Sequence, residues 1–96
     1  MLILNMSLSA YYMKNEMFVV NEVDESIIIF DSDYQETYVL NFIERSIWNH
    51  CDGVHTFSDI ICKMKEQYDS DQEEIEEDVR EFLIALLEKN IIVEQK

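Results

Sequence analysis

Three short apolar runs, separated by polar segments, occupy the first part of the chain. Residues 17–20 and 26–31 are rich in β-branched and aromatic side chains, and each predicts a strand. Residues 36–40 predict a third strand. The polar segments 21–25 and 32–35 have the length and composition of turns. Because strands joined by short turns pair in sequence order, the pattern predicts an antiparallel three-stranded meander.

The third predicted strand has an alternating pattern. Tyr38 and Leu40 lie on one face, whereas Thr37 and Val39 lie on the other. In a meander this strand is an edge. Its unpaired backbone groups must be covered by another segment, protected by charged side chains or paired with a partner. Only Glu36 supplies a charge. A peptide can add to such an edge as a further strand, and a homodimer through the same edge or coverage by the N-terminal residues are the alternatives.

After these strands the apolar spacing becomes helical. Asn41 followed three residues later by Glu44 is a capping-box pattern, which predicts the start of a helix. Gly53 is predicted to end this helix, because glycine readily adopts the left-handed conformation found there. Thr56 with Asp59 predicts the start of a second helix in the same way.

A third helix is predicted to start near Ser70 or Asp71 and to end near Asn90, with residues 91–93 as a short extended tail. Its apolar residues recur at helical spacing. They are Ile75, Val79, Phe82, Leu83, Leu86 and Leu87.

Strands followed by helices indicate an α+β fold rather than an α/β fold. We therefore expect a winged-helix-like domain, with a three-stranded antiparallel sheet followed by three helices, over residues 16–96. Residues 1–15 are expected to be an N-terminal arm or an extra strand. The length of 96 residues is sufficient for one domain.

The excess of acidic residues excludes several classes of binding partner. The formal net charge is −14, with only seven lysines and arginines. Phosphate groups would repel such a chain, which argues against nucleic acid, against a winged-helix transcription factor and against an anionic membrane surface. The partner is expected to be neutral, apolar or basic. An acidic winged-helix interaction or regulatory protein that binds a basic protein is one hypothesis consistent with this charge.

Several features favour a cytoplasmic chain. The apolar N-terminus lacks the basic region of a signal peptide, and no stretch approaches the roughly 20 apolar residues of a membrane span. Cys51 and Cys62 are therefore expected to be free thiols.

Residues suited to catalysis or metal binding are few. His50, Cys51, His55 and Cys62 are close in sequence but lack the paired spacing of zinc ligands. A nucleophilic Cys–His pair would have no loop to stabilise an oxyanion, and a single glycine excludes a glycine-rich phosphate loop. We expect no metal, no cofactor and no enzymatic activity.

Eight carboxylates crowd the start of the third predicted helix. They form either a solvated helix start, which the helix dipole favours, or a surface that attracts a basic peptide. These residues are Asp69, Asp71, Glu73, Glu74, Glu76, Glu77, Asp78 and Glu81.

An ordered series of short motifs resembles the PqqD-like family over about residues 17–93. The motifs, in order, are Tyr38-Val39-Leu40-Asn41, Ile47-Trp48, Cys51-Asp52-Gly53, Thr56-Phe57-Ser58-Asp59-Ile60, Tyr68-Asp69, Asp78-Val79, Phe82-Leu83 and Leu86. Family members are recognition elements for ribosomally synthesised, post-translationally modified peptides. The resemblance implies that the chain binds the leader of a precursor peptide, and that the partners include a modifying enzyme or a leader protease. Because the chain ends soon after the last motif, we expect a discrete, stand-alone member.

The resemblance also implies a binding site. The leader would add to the third strand and lie against the third helix. Carried over by position, the strand side is Glu36, Thr37, Tyr38 and Val39, and the helix side is Asp78, Phe82, Ala85, Leu86 and Lys89. The alternative to peptide binding for Phe82 and Leu86 is packing in the core. Ala85 would leave room for a peptide side chain.

Overall fold

The computed structural model describes residues 7–31, 35–68 and 71–95. The α+β class is confirmed, with three helices and two three-stranded antiparallel sheets in the described chain instead of one sheet. Most of the turn predicted at 32–35, and Ser70 as a helix cap, lie outside the described residues. The elements are β1 (Tyr11–Lys14), β2 (Val19–Val23), β3 (Ser26–Asp31), β4 (Glu36–Leu40), α1 (Phe42–Asn49), β5 (Asp52–Thr56), α2 (Phe57–Gln67), α3 (Gln72–Glu88) and β6 (Ile92–Gln95).

The first sheet has the order β2-β3-β4 and is the predicted meander. Its register places Ile29 opposite both Val20 and Tyr38. Side chains alternate along β3, so Ile27 and Ile29 are buried on the inner face, while Phe30 lies on the outer face and is exposed. Because β4 is last in this sheet, the third predicted strand is an edge, as expected.

The position of β2 differs from the prediction. It spans Val19–Val23, so the polar stretch interpreted as a turn belongs partly to the strand. All five residues of β2 are exposed, which explains why hydrophobic patterning did not mark its end. The chain reverses one residue later, where Asp24 has a φ of 55°.

The second sheet, in the order β5-β1-β6, was not predicted. It joins segments that are far apart in sequence, since Tyr11 lies opposite both Thr56 and Gln95. Two backbone hydrogen bonds hold the residues before β1 against the start of α2: the N–H of Phe57 donates to the carbonyl of Ala10, and that of Ser58 to Leu8. Residues 1–6 lie outside the described chain.

The prediction that Gly53 ends the first helix is wrong. The helix ends at Asn49, and Gly53 lies inside β5. Its φ of +78° is nevertheless the left-handed conformation that glycine tolerates. A β-carbon there would lie 2.8 Å from Oε1 of Gln95 and 2.9 Å from Cγ of Met13. The glycine thus permits a close approach of neighbouring strands rather than a helix stop.

The predicted helix starts are confirmed by their caps. Asn41 accepts a hydrogen bond from the N–H of Glu44 at 2.8 Å, and the Glu44 side chain accepts one from the N–H of Asn41. Thr56 and Asp59 make the same reciprocal pair. α3 begins after Asp71, whose side chain accepts from the N–H of Glu73. None of the helices in the described chain is long and apolar enough to cross a membrane.

The core lies between the two sheets and the buried faces of the helices. Trp48 is buried, and Nζ of Lys14 lies 5.3 Å from the centre of its ring. The largest fully buried side chains come from both sheets and all three helices. They are Tyr12, Phe57, Ile27, Ile29, Ile47, Ile60, Met64, Leu83, Ile91, Ile92, Val79 and Cys51.

Candidate functional site

The free edge of β4 faces α3 across an open cavity. β4 pairs with β3 on one side, and no strand of the described chain pairs with its other side. The cavity has a volume of about 360 Å³ and is lined by four consecutive residues of β4, Thr37–Leu40, together with residues of α3 that include Phe82 and Ala85. Because consecutive residues of a strand point to opposite faces, a lining of this kind lies along the strand edge.

Two further cavities share lining residues with this one and a third shares them with one of those two, so together they form a chain of adjoining depressions that we call the β4–α3 groove. One, of about 240 Å³, extends it past Lys89 to Glu36 and Glu88. A second, of about 390 Å³, extends it past Phe82 toward α1. A third, of about 180 Å³, lies between α1, α2 and α3. The groove therefore follows nearly the full length of α3.

All nine residues carried over from the family resemblance line this groove. Val39 is 63% exposed, and Thr37, Ala85 and Asp78 are also exposed. Leu86, in contrast, is only 4% exposed and belongs to the core. Its contribution to the groove is thus a small part of an otherwise buried side chain. The structure brings the nine residues together, and their role in peptide binding remains a prediction.

Tyr38 connects the strand side of the groove to the helix side. Its hydroxyl donates a 2.7 Å hydrogen bond to Oε2 of Glu36, and Nζ of Lys89 lies 5.1 Å from the centre of its ring. The hydrogen bond to Glu36 raises the pKa of Tyr38, and the interaction with Tyr38 raises the pKa of Lys89. The phenol therefore stays neutral and the ammonium stays charged at physiological pH.

The remaining charges of the groove are acidic. Among the described residues that line the four cavities, Lys89 is the only basic one. The carboxylates in the same lining are Glu36, Glu44, Glu74, Asp78, Glu81 and Glu88. A groove of this composition favours a ligand with positive charge.

The start of α1 contributes residues that the sequence analysis missed. Phe42 and Ile43, the first two residues of α1, are 62% and 46% exposed. Ile43 lines two cavities of the groove, and the ring of Phe42 packs edge-on against Tyr68. Adjacent apolar residues do not by themselves mark an exposed patch, since Ile47 and Trp48 are adjacent on the same helix and both are buried, so the sequence carried no clear signal for this one.

The histidines and cysteines lie outside the groove. Cys51 is buried, and burial raises the pKa of its thiol to about 12, whereas Cys62 is exposed. Nδ1 of His55 lies 2.9 Å from Oδ2 of Asp52, and its ring packs edge-on against His50. Within residues 7–31, 35–68 and 71–95, no three or more such side chains form a group able to hold a metal ion.

Comparison with protein families identifies the class of this chain. The model of the family described as coenzyme PQQ synthesis protein D (PqqD) matches residues 26–92. This match covers more than half of the 96 residues, so the chain belongs to the PqqD family, as its motifs indicated. A search of curated proteins gives no significant match.

Solved structures share the fold. TbiB1 in complex with the TbiA(beta) leader peptide is 20% identical, with a TM-score of 0.73 over 83% of this chain and 93% of that chain. Lasso peptide synthetase B1 complexed with the leader peptide is 18% identical, with a TM-score of 0.76 over 88% of this chain and 99% of that chain. The heterocyclase TruD is 19% identical, with a TM-score of 0.62 over 90% of this chain but 12% of that chain.

Proposed function

We propose that this chain recognises the leader region of a ribosomally made precursor peptide and presents it to modifying enzymes. The leader adds as a strand to the free edge of β4 and lies in the β4–α3 groove. The observation that supports this most directly is the open cavity between an unpaired strand edge and a facing helix. The family match and the two similar structures that hold leader peptides give further support.

Strand addition suits the chemistry of this edge. Free N–H and C=O groups of β4 supply hydrogen bonds that do not depend on the peptide sequence, and the groove supplies pockets for alternate side chains. Side chains of the added strand that point inward would meet Phe82 and Ala85. The methyl group of Ala85 is small and exposed, so a larger peptide side chain fits above it.

The proposed role is binding without catalysis. The nine groove residues provide an unpaired backbone edge, apolar surface and carboxylates, which hold and orient a peptide. Chemistry on the bound precursor is assigned to a partner, either a modifying enzyme or a leader protease. Holding the leader raises the effective concentration of the rest of the precursor at that partner.

A titration followed by NMR tests the proposal. Isotope-labelled protein is titrated with the leader peptide of a short precursor encoded beside its gene. We expect the amide signals of β4 and α3 to shift most, whereas those of β1, β5 and β6 change little. Unchanged β4 and α3 signals at high micromolar peptide would contradict the proposal.

The edge can also pair with its own copy, so the same experiment needs a concentration control. Sedimentation of the protein alone, over the concentrations used for NMR, shows whether a dimer forms. If the β4 signals shift with protein concentration and not with peptide, the edge serves a homodimer instead of a leader.

A further inference from the structure

We infer that the peptide segment held in the β4–α3 groove is basic and carries one bulky apolar anchor. Lys or Arg side chains of that segment face Asp78 and Glu81 of α3, and the anchor enters the pocket between the three helices. This inference rests on the proposed function, since it describes the ligand of the same groove.

The charge of the groove is the first argument. Asp78 and Glu81 lie one helical turn apart on α3 and line the same cavity, where Glu44 of α1 also contributes. Both α3 carboxylates are exposed, and neither takes part in a salt bridge within the described chain. Lys89, the one basic residue in the described lining of the groove, is stacked on Tyr38 at the other end. A peptide with acidic side chains would therefore be repelled along most of its path.

The apolar pocket is the second argument. Its volume is about 180 Å³, and its walls are Ile43, Ile47, Met64, Tyr68, Ile75 and Val79. Glu74 and Asp78 form the polar part of its lining. A branched aliphatic or aromatic side chain would cover the exposed surface of Ile43 and leave its own flanking residues beside the two carboxylates. A peptide in which an apolar residue is adjacent to a basic residue would therefore fit both the pocket and its two carboxylates.

The length of the groove sets the spacing of these features. From Glu74 to Lys89 the helix advances fifteen residues, which corresponds to about 22 Å. An extended chain covers that distance with about seven residues. One half of the ligand thus pairs with β4, and the basic and apolar residues lie in the other half, beyond the end of the strand.

Selection from a random peptide library tests the inference. The immobilised full-length protein is used to select displayed peptides somewhat longer than the groove. We expect the enriched sequences to combine a strand-forming half with a half that carries Lys or Arg beside a bulky apolar residue. The affinity of the best enriched peptide, made synthetically, should fall as salt is added.

Charge reversal gives the matched comparison. In the double variant Asp78→Lys/Glu81→Lys, we expect the affinity for the selected peptide to fall by about tenfold or more. The control variant Glu16→Lys/Glu66→Lys has the same change in net charge, but both positions are exposed and do not line the groove. We expect its affinity to stay within about twofold of the unmodified protein. A peptide whose basic residues are replaced by Glu should regain affinity for the groove variant.

The outcomes separate this inference from the proposed function. Enriched peptides that shift the β4 amides but show no preference for basic residues would overturn the inference and leave the proposed function intact. Equal weakening by both double variants would also overturn it, because the effect would then reflect net charge. Failure to enrich any peptide over empty support would count against the proposed function as well.

Discussion

At the scale of single residues, the surroundings of Tyr12 are unfavourable for its polar group. It lies in the middle of β1 with no exposed surface, and its hydroxyl group has no hydrogen-bond partner among the described residues. Burial raises the pKa of this phenol from 10.0 to about 12, and the nearby Glu94 and Cys51 act in the same direction. The ring contributes to the core, whereas the buried hydroxyl is a cost to folding.

We expect Tyr12→Phe to leave stability unchanged or to increase it by about 1 kcal/mol, because the ring is kept and an unsatisfied polar group is removed. Urea unfolding of both proteins at neutral pH measures the difference. The pH dependence provides a control. Above pH 10 the unfolded phenol ionises before the folded one, so wild-type stability falls toward pH 12 and the variant lacks this component. A loss above about 1 kcal/mol in the variant would show that the hydroxyl has a partner.

Gly53 shows how a residue can be interpreted correctly and its element wrongly. The sequence indicated a left-handed glycine near the end of a helix, and the φ of +78° agrees with that conformation. The structure places it within β5, because β1 and β6 approach there from distant parts of the chain. Local sequence contains no information about that approach, so it could not have been predicted.

At the scale of elements, the sequence predicted those helices and strands that are stabilised by local interactions, and it missed those that depend on pairing between distant segments. α1 and α2 carry local capping boxes, and β3 carries a strong apolar pattern, so all three were predicted. β1 and β5 are short and depend on pairing between distant segments of the chain, with Tyr11 opposite Thr56 and Met13 opposite Asp52. The edge position of β4 followed from the meander alone. The cavity beside it depends on where α3 packs, which only the structure shows.

The strand-addition proposal makes a specific prediction for β4. Val39 is 63% exposed, so its side chain contributes little to the core. Proline at this position removes a backbone donor and distorts the edge. We expect Val39→Pro to weaken leader binding by about tenfold or more, on the order of 1.4 kcal/mol, as measured by calorimetry.

A matched control for this variant comes from the opposite edge of the same sheet. Val19 is the first residue of β2, is exposed, and lies at a position where proline is tolerated in strands. Val19→Pro should bind the leader with unchanged affinity. Circular dichroism and thermal unfolding must show that both variants are folded. If folded Val39→Pro binds as tightly as the unmodified protein, the peptide does not add to this edge.

At the scale of the whole molecule, the charge of −14 influences folding and binding in opposite directions. Repulsion among carboxylates destabilises the folded chain, and the crowded start of α3 concentrates it. Three of these carboxylates, Glu74, Asp78 and Glu81, line the groove, where they would attract the proposed basic peptide. Salt screens both effects, since the Debye length falls from about 10 Å at 0.1 M to about 3 Å at 1 M.

We therefore expect added sodium chloride to raise the melting temperature by a few degrees while it weakens peptide binding severalfold. Thermal unfolding and calorimetric titration in one salt series measure both quantities on the same preparation. The Asp78→Lys/Glu81→Lys variant should retain much of the rise in melting temperature, because most of the carboxylates remain, but lose most of the salt dependence of binding. Binding that is independent of salt while stability rises would mean that apolar contacts and backbone pairing hold the peptide, and that the acidic groove does not select it.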